Sequence, residues 1–321
     1  MQNFEPCWWL SNGHLQTCAA ALIKRPHYRT QAECIKLADG DVLELHWSHT
    51  PNPEAPILLL LHGLEGSVSS NYIQGMLHAA KLHHWRAVVM HLRGCQGRVN
   101  AVAQTYHAGK TDDLETTLEH IHDAFPAAKQ VFAIGYSLGG NILLKFLGEN
   151  PERNLVDAAV GISLPFDLAA TTHYLQTGIR QYYEHRFLRT MKGTIAHKID
   201  LGMNMPVNKQ ELHKIHTLYN FDNQVTAPLH GFKNAKDYYR RSSCAQFLPA
   251  IQTPTLIVHA VDDPFVPSAV IPDKKAVSPQ VNLNILPHGG HVGFISTKKN
   301  GGIYFWLERY IPQYLTKLMD K

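Results

Sequence analysis

Gly135-Tyr136-Ser137-Leu138-Gly139-Gly140-Asn141 is the stretch whose reading decides how this chain folds. It satisfies the G-x-S-x-G pattern. It lies directly after the apolar run Val131-Phe132-Ala133-Ile134 and directly before a helical pattern, Leu138 to Glu149. That spacing describes a tight strand-to-helix turn. The serine takes a strained backbone conformation, glycines two residues away on each side avoid clashes, and the hydroxyl is exposed in the positive potential of a helix N-terminus. Ser137 is thus the candidate nucleophile; the plainer alternative is a turn serine that caps the helix.

Reading outward, strand and helix patterns alternate. Residues 32–49 predict a hairpin turning at Asp39-Gly40-Asp41. Ile57 to Leu61 is continuously apolar, as a strand covered on both faces requires. The pattern continues with helix over 72–83, strand over 86–92, helix over 111–122, the strand and helix around Ser137, and strand over 158–163. It stops between 165 and 247, which is polar, aromatic and histidine-rich with no strong strand. It resumes with strand over 255–259, helix over 268–277, strand over 281–286 and a C-terminal helix from about Ile303. Such alternation predicts an α/β fold with a mostly parallel sheet. The expected organisation is a core of residues 1–164 and 248–321, with a mainly helical cap, 165–247, over the sheet edge where open α/β sheets bind ligands.

A serine hydroxyl needs a base and an orienting acid. The expected chain order is Ser, acid, His. After the last strand comes Pro287-His288-Gly289-Gly290-His291, where two histidines compete. His291 is favoured because the Gly-Gly turn carries it further from the strand end. After the preceding strand, Asp262 and Asp263 are adjacent, so only one can face the base. Asp263 opens a D-x-x-V-P spacing and is favoured, leaving Asp262 as a turn or cap residue; Asp167 is a distant third. The oxyanion donors expected are the backbone N–H groups of Leu138, just after the nucleophile, and of Leu64, in His62-Gly63-Leu64-Glu65-Gly66 after the strand 57–61. The alternative for that loop is a simple strand-ending turn. His62 would shape the loop and carry no proton.

Composition excludes several classes. At 321 residues with 45% hydrophobic and 17% charged residues, the chain can bury a large core and is not disordered. No run of about 18 apolar residues predicts a membrane span, and the N-terminus does not read as a signal peptide. Lys and Arg are scattered, which argues against nucleic acid. The 21 histidines fall in no repeated ligand frame; His213 and His216 share a helical face, but two ligands make a weak metal case. The five widely spaced cysteines suit thiols in a reducing cytoplasm. No metal or organic cofactor is expected. Trp8-Trp9 could line an acyl pocket, touch a membrane surface or dock on the core. His14 reads as structural. Tyr182-Tyr183, Phe187 and Tyr238-Tyr239 line a substrate tunnel or pack the cap, and Arg240-Arg241 reads as a solvated pair.

Over nearly its whole length the chain resembles the α/β-hydrolase superfamily, and more narrowly the AB hydrolase 4 family. The matching residues are Asn12 to Thr17, His62 to Ser67, Arg93-Gly94-Cys95, Gly135 to Asn141, Asp262 to Phe265 and Gly289 to Gly293, together with Phe221-Asp222, Val225 to Phe232 and Asp237-Tyr238-Tyr239 in the cap. The resemblance implies a serine hydrolase of short- to medium-chain acyl esters, with Ser137, Asp263 and His291 as triad and Leu64 and Leu138 as oxyanion donors. It also admits acyltransfer by the same acyl-enzyme, or cleavage of medium-chain phospholipids with peripheral membrane contact. A rival of another class is a non-catalytic binding protein on the same scaffold.

Overall fold

The computed structural model describes residues 3–95, 97, 99–298 and 301–319. An eight-stranded sheet is ordered β1-β2-β4-β3-β5-β6-β7-β8. It comprises β1 (Gln31–Lys36), β2 (Val42–Trp47), β3 (Ile57–Leu61), β4 (Arg86–Met90), β5 (Val131–Tyr136), β6 (Ala158–Ile162), β7 (Thr255–Ala260) and β8 (Val281–Leu286). The predicted hairpin is β1 and β2, antiparallel to each other and to β4; the pairings from β4 through β8 are parallel. Strands β3 to β7 are buried along their whole lengths. Their continuous Leu, Val, Ile and Ala runs follow from being covered on both faces. The covering helices are α1 (Gly13–Leu22), α2 (Asn71–Leu82), α3 (Asp112–Ala124) and α4 (Leu138–Glu149).

Between β6 and β7 the described residues form helices and turns only. These are α5 (Leu168–Leu175), α6 (Gln181–Asp200), α7 (Lys209–His213), α8 (Leu218–Phe221), a π-helical turn (Asp222–Thr226), α9 (Ala227–Leu229) and α10 (Ala235–Ser242). Leu188, Ile195, Leu212, Ile215 and Phe221 gather there into an apolar cluster of their own.

Two predicted helices are corrected. The stretch 268–277 makes only short 3₁₀ turns, Ser268–Val270 and Lys274–Ala276. Pro272 has no N–H and bars the preceding residue from helical geometry; Ile271 is extended at φ −67°, ψ 123°. The C-terminal helix α11 runs Leu307–Met319. The β-branched and aromatic Ile303-Tyr304-Phe305 instead form β10 (Ile303–Phe305), antiparallel to β9 (Ile295–Thr297).

The N-terminal segment straps the loops that follow β7 and β8. Asn12 caps α1 by accepting from the His14 amide at 2.8 Å. Buried Gln16 donates to the carbonyls of Leu10 and Ile295 and accepts from the Ile295 amide. Thr17 Oγ1 accepts from the His291 amide at 2.8 Å while donating to the Gly13 carbonyl at 2.7 Å. Gly13 lies so close to the Asp262 carbonyl that a Cβ would collide with it. Gly13→Ala should therefore destabilise the fold by about 1–3 kcal/mol, the usual range for overpacking, and lower the melting temperature. An unchanged melting temperature would show that the strap yields.

Burial lowers the pKa of several histidines, among them His62, His230 and His259, to about 4, and His91, to about 3, where neighbouring His62 and His46 add to it. A group whose folded pKa is depressed contributes stability above its unfolded pKa, near 6.5, and loses it as pH falls toward the folded value. Denaturant midpoints should fall steadily between pH 6.5 and about pH 4. A flat profile over that window would contradict buried neutral imidazoles.

Candidate active site

Ser137 sits between β5 and α4 at φ 51°, ψ −118°, a conformation that side chains rarely adopt. Its amide donates to the Ile162 carbonyl at 2.8 Å, and its carbonyl accepts from the Asn141 amide at 3.0 Å, so the turn is pinned from both sides. Gly139 presses against β3: a Cβ there would lie 2.5 Å from the His62 carbonyl. Gly135 and Gly140 face each other too closely for side chains.

His291 Nε2 is 2.9 Å from Ser137 Oγ, and His291 Nδ1 is 2.8 Å from Asp263 Oδ2. The structure thus brings together the three favoured candidates, although 154 residues separate the serine from the histidine. Asp263 Oδ1 accepts from the Phe265 amide at 2.8 Å and the Val266 amide at 3.3 Å. Burial alone would raise its pKa. The facing His291, together with His259 and the Phe265 amide, outweighs burial and holds the carboxylate below its ordinary range. The Phe265 ring stacks on His291 with centroids 4.1 Å apart.

The competing residues form a second pair. His288 Nδ1 lies 3.3 Å from Asp262 Oδ2, and Asp262 Oδ1 accepts from the Gly290 amide at 2.9 Å. That pair ties the two loops together. Asp167 caps α5, accepting from the Ala170 amide at 3.0 Å.

In the loop after β3, Gly63 donates to Tyr72 Oη at 3.0 Å and Glu65 to Tyr106 Oη at 3.1 Å. The Leu64 amide lies between these two. The Leu138 amide is the first of α4, one of the groups a helix leaves without an internal partner. His62 donates from Nδ1 to the Gly63 carbonyl at 2.8 Å and accepts at Nε2 from the Leu92 amide at 3.1 Å, which makes it a fully engaged loop residue.

Ser137, His291, Leu64 and Leu138 line one cavity with residues of α5, α6, α8, the π-helical turn and α10. Its volume is about 100 Å³, measured as space for the centre of a water-sized sphere. Leu168, Leu175, Phe187, Met191 and Leu218 make much of the wall apolar. The aromatics of this helical segment divide. Phe187, Tyr238 and Tyr239 line the cavity, Tyr182 is exposed, and Tyr183 packs on Phe265 and bonds His14 Nδ1 through its hydroxyl at 3.0 Å. Trp8 and Trp9 are outside the wall and are 85% and 47% exposed. Arg240 and Arg241 are exposed beside Asp237. The sequence reading left Asp222 unassigned, although this carboxylate lines the same cavity.

Glu44, His46 and His91 lie close enough together to suggest a metal site. His91 Nε2, however, accepts from the Val68 amide at 2.8 Å, which places the proton on Nδ1, facing Glu44 across 3.4 Å. A metal at Nδ1 would require an imidazolate, so the cluster does not fit a metal site. No disulfide joins the described cysteines.

The family model for the alpha/beta hydrolase fold matches residues 56–297. The chain is 38% identical over 325 residues to the YheT protein of Escherichia coli (strain K12), covering 99% of this chain and 94% of that one. It is 30% identical over 332 residues to Phospholipase ABHD3 of Homo sapiens, covering 99% and 80%. It is 31% identical over 250 residues to the Monoacylglycerol lipase of Saccharomyces cerevisiae, covering 76% and 56%. Among solved structures, the Pyrococcus furiosus esterase Pf2001 superposes with a TM-score of 0.61 at 14% identity, covering 92% of this chain and 97% of that one; this likeness concerns the fold. With its mostly parallel sheet, its serine turn and a family match over most of its length, the chain belongs to the α/β-hydrolase family.

Proposed function

We propose that this protein hydrolyses short- to medium-chain carboxylic esters through an acyl-enzyme on Ser137. The observation that carries the reading is the continuous chain Asp263–His291–Ser137, with links of 2.8 and 2.9 Å, opening into an apolar-walled cavity.

Each step follows from that geometry. His291 Nε2 accepts the Ser137 proton as Oγ attacks the ester carbonyl. The amides of Leu138 and Leu64 donate to the oxyanion that develops. Asp263, held ionised by its amide bonds and by His291, stabilises the imidazolium and fixes its orientation. The imidazolium then protonates the leaving alcohol. Water attacks the acyl-enzyme by the same route, returning the proton to Ser137. An alcohol taking the place of water would make this an acyltransferase, with the chemistry otherwise unchanged. Residues 165–247 would serve as the cap that selects the acyl chain, since the helices of this segment supply most of the cavity wall.

One observation favours a second substrate form, a phospholipid presented at a membrane surface. Trp8, Trp9, Leu15 and Leu22 are large, apolar and exposed on the segment that straps the catalytic loop. No described helix is long and apolar enough to cross a membrane, so such contact would be peripheral. The described cysteines, with no disulfide among them, fit a reducing compartment such as the cytoplasm.

The test is hydrolysis of p-nitrophenyl esters from two to about twelve carbons, together with fluorophosphonate labelling and medium-chain phospholipid vesicles. Wild type should show a chain-length optimum and label at Ser137. Ser137→Ala should lose about 10⁶-fold in kcat and Asp263→Asn about 10⁴-fold, as such triads do. His291→Ala should fall with them while His288→Ala keeps turnover. Folded wild type that neither labels nor turns over would sink the proposal.

A further inference from the structure

Asp222 is an ionisable group of the cavity wall that this mechanism does not use. Asp222 opens the π-helical turn 222–226 and is the single acid among the described residues of the cavity wall, which contains no lysine or arginine. Tyr239 Oη and Thr226 Oγ1 each donate to it at 2.7 Å. Tyr239 is in turn hydrogen-bonded by Thr172, which also faces the cavity. Thr171, one residue before it on α5, lines the same space, and its Oγ1 is buried without a partner among the described residues.

The carboxylate has about four acceptor positions, and the protein fills two. Burial without a cation is costly for an acid, and it pushes the pKa of Asp222 up to about 6 despite the bonds from Tyr239 and Thr226. Thr226 and Tyr239 bond separate oxygens, Oδ1 and Oδ2, so each oxygen keeps acceptor capacity for a further donor. Irregular π-turns recur at functional sites because they re-aim side chains. This one places Asp222 and Thr226 together on the cavity wall, beside Leu218 of α8.

We propose that Asp222 is the polar anchor of the substrate pocket, accepting a hydrogen bond from a hydroxyl or protonated amine carried by the ester. Thr171 supplies a second polar contact to the same substituent. The preferred substrates are then esters bearing a hydrogen-bond donor at some distance from the scissile bond, rather than wholly aliphatic ones. This inference rests on the hydrolase reading and names the substrate class of the same site.

The experiment compares kcat/KM for matched esters with and without a donor. On the alcohol side these are propyl, 2-hydroxyethyl and 2-(dimethylammonio)ethyl butanoate, which separate hydroxyl from ammonium. On the acyl side they are p-nitrophenyl heptanoate and 6-hydroxyhexanoate. Wild type should favour the donor-bearing member of at least one pair by roughly tenfold or more, the scale of a hydrogen bond to a charged group. Asp222→Asn should bring that ratio close to one. A wild type that labels with fluorophosphonate yet shows no preference in any pair overturns the inference and leaves the hydrolase reading standing. A preference that survives Asp222→Asn overturns the assignment to this residue. Should that variant not fold, Thr171→Val must lower the ratio, and an unchanged ratio counts against the subsite. Absence of labelling in folded wild type removes the hydrolase reading, and the inference with it.

Discussion

Ser137 holds φ 51°, ψ −118° only because everything around it is built to tolerate that conformation. The residues at 135, 139 and 140 have no side chains, so β5, α4 and the β3 loop can approach within contact of bare backbone. Main-chain bonds to Ile162 and Asn141 then leave the turn no softer geometry to relax into. The consequence is chemical. The hydroxyl projects toward His291, and the Leu138 amide is left at a helix N-terminus where negative charge is favoured. Without that turn, the loops after β3, β7 and β8 would have no common point to face.

Those loops achieve their selection by pairing. The two acids just after β7 and the two histidines after β8 separate into a buried pair, Asp263 with His291, and a partly exposed pair, Asp262 with His288. Burial strengthens the first by excluding water, and two backbone amides keep its carboxylate charged. The second works as a clasp, and the N-terminal segment reinforces it through Gly13, Gln16 and Thr17. The motif Asn12 to Thr17, distant in sequence from any chemistry, therefore acts by fixing the loop that carries the histidine.

The strands were largely legible because burial writes itself into composition. Ile57 to Leu61, buried at every position, falls where its run begins and ends. Errors arose where local rules competed. Between 268 and 277 the residues have fair helix propensity, but Pro272 removes the donor a helix needs. At 303–305 a short β-branched and aromatic run joined a strand partner at 295–297, a pairing invisible without the intervening loop closed. The π-helical turn at 222–226 has no sequence periodicity that announces it, so Phe221-Asp222 was legible as a motif while the place of its carboxylate was not.

By itself the sequence determined the α/β class, the serine turn and the short list of partners that could serve it. These depend on contacts between near neighbours and on side-chain size, both written in local order. Only the tertiary structure decided which aspartate meets which histidine, that Trp8 and Trp9 face solvent, and that a buried carboxylate joins the cavity wall. Each of those outcomes depends on hydrogen bonds or packing between segments far apart in the chain, and direction in space is fixed only when the sheet, its loops and the helical insertion are assembled together.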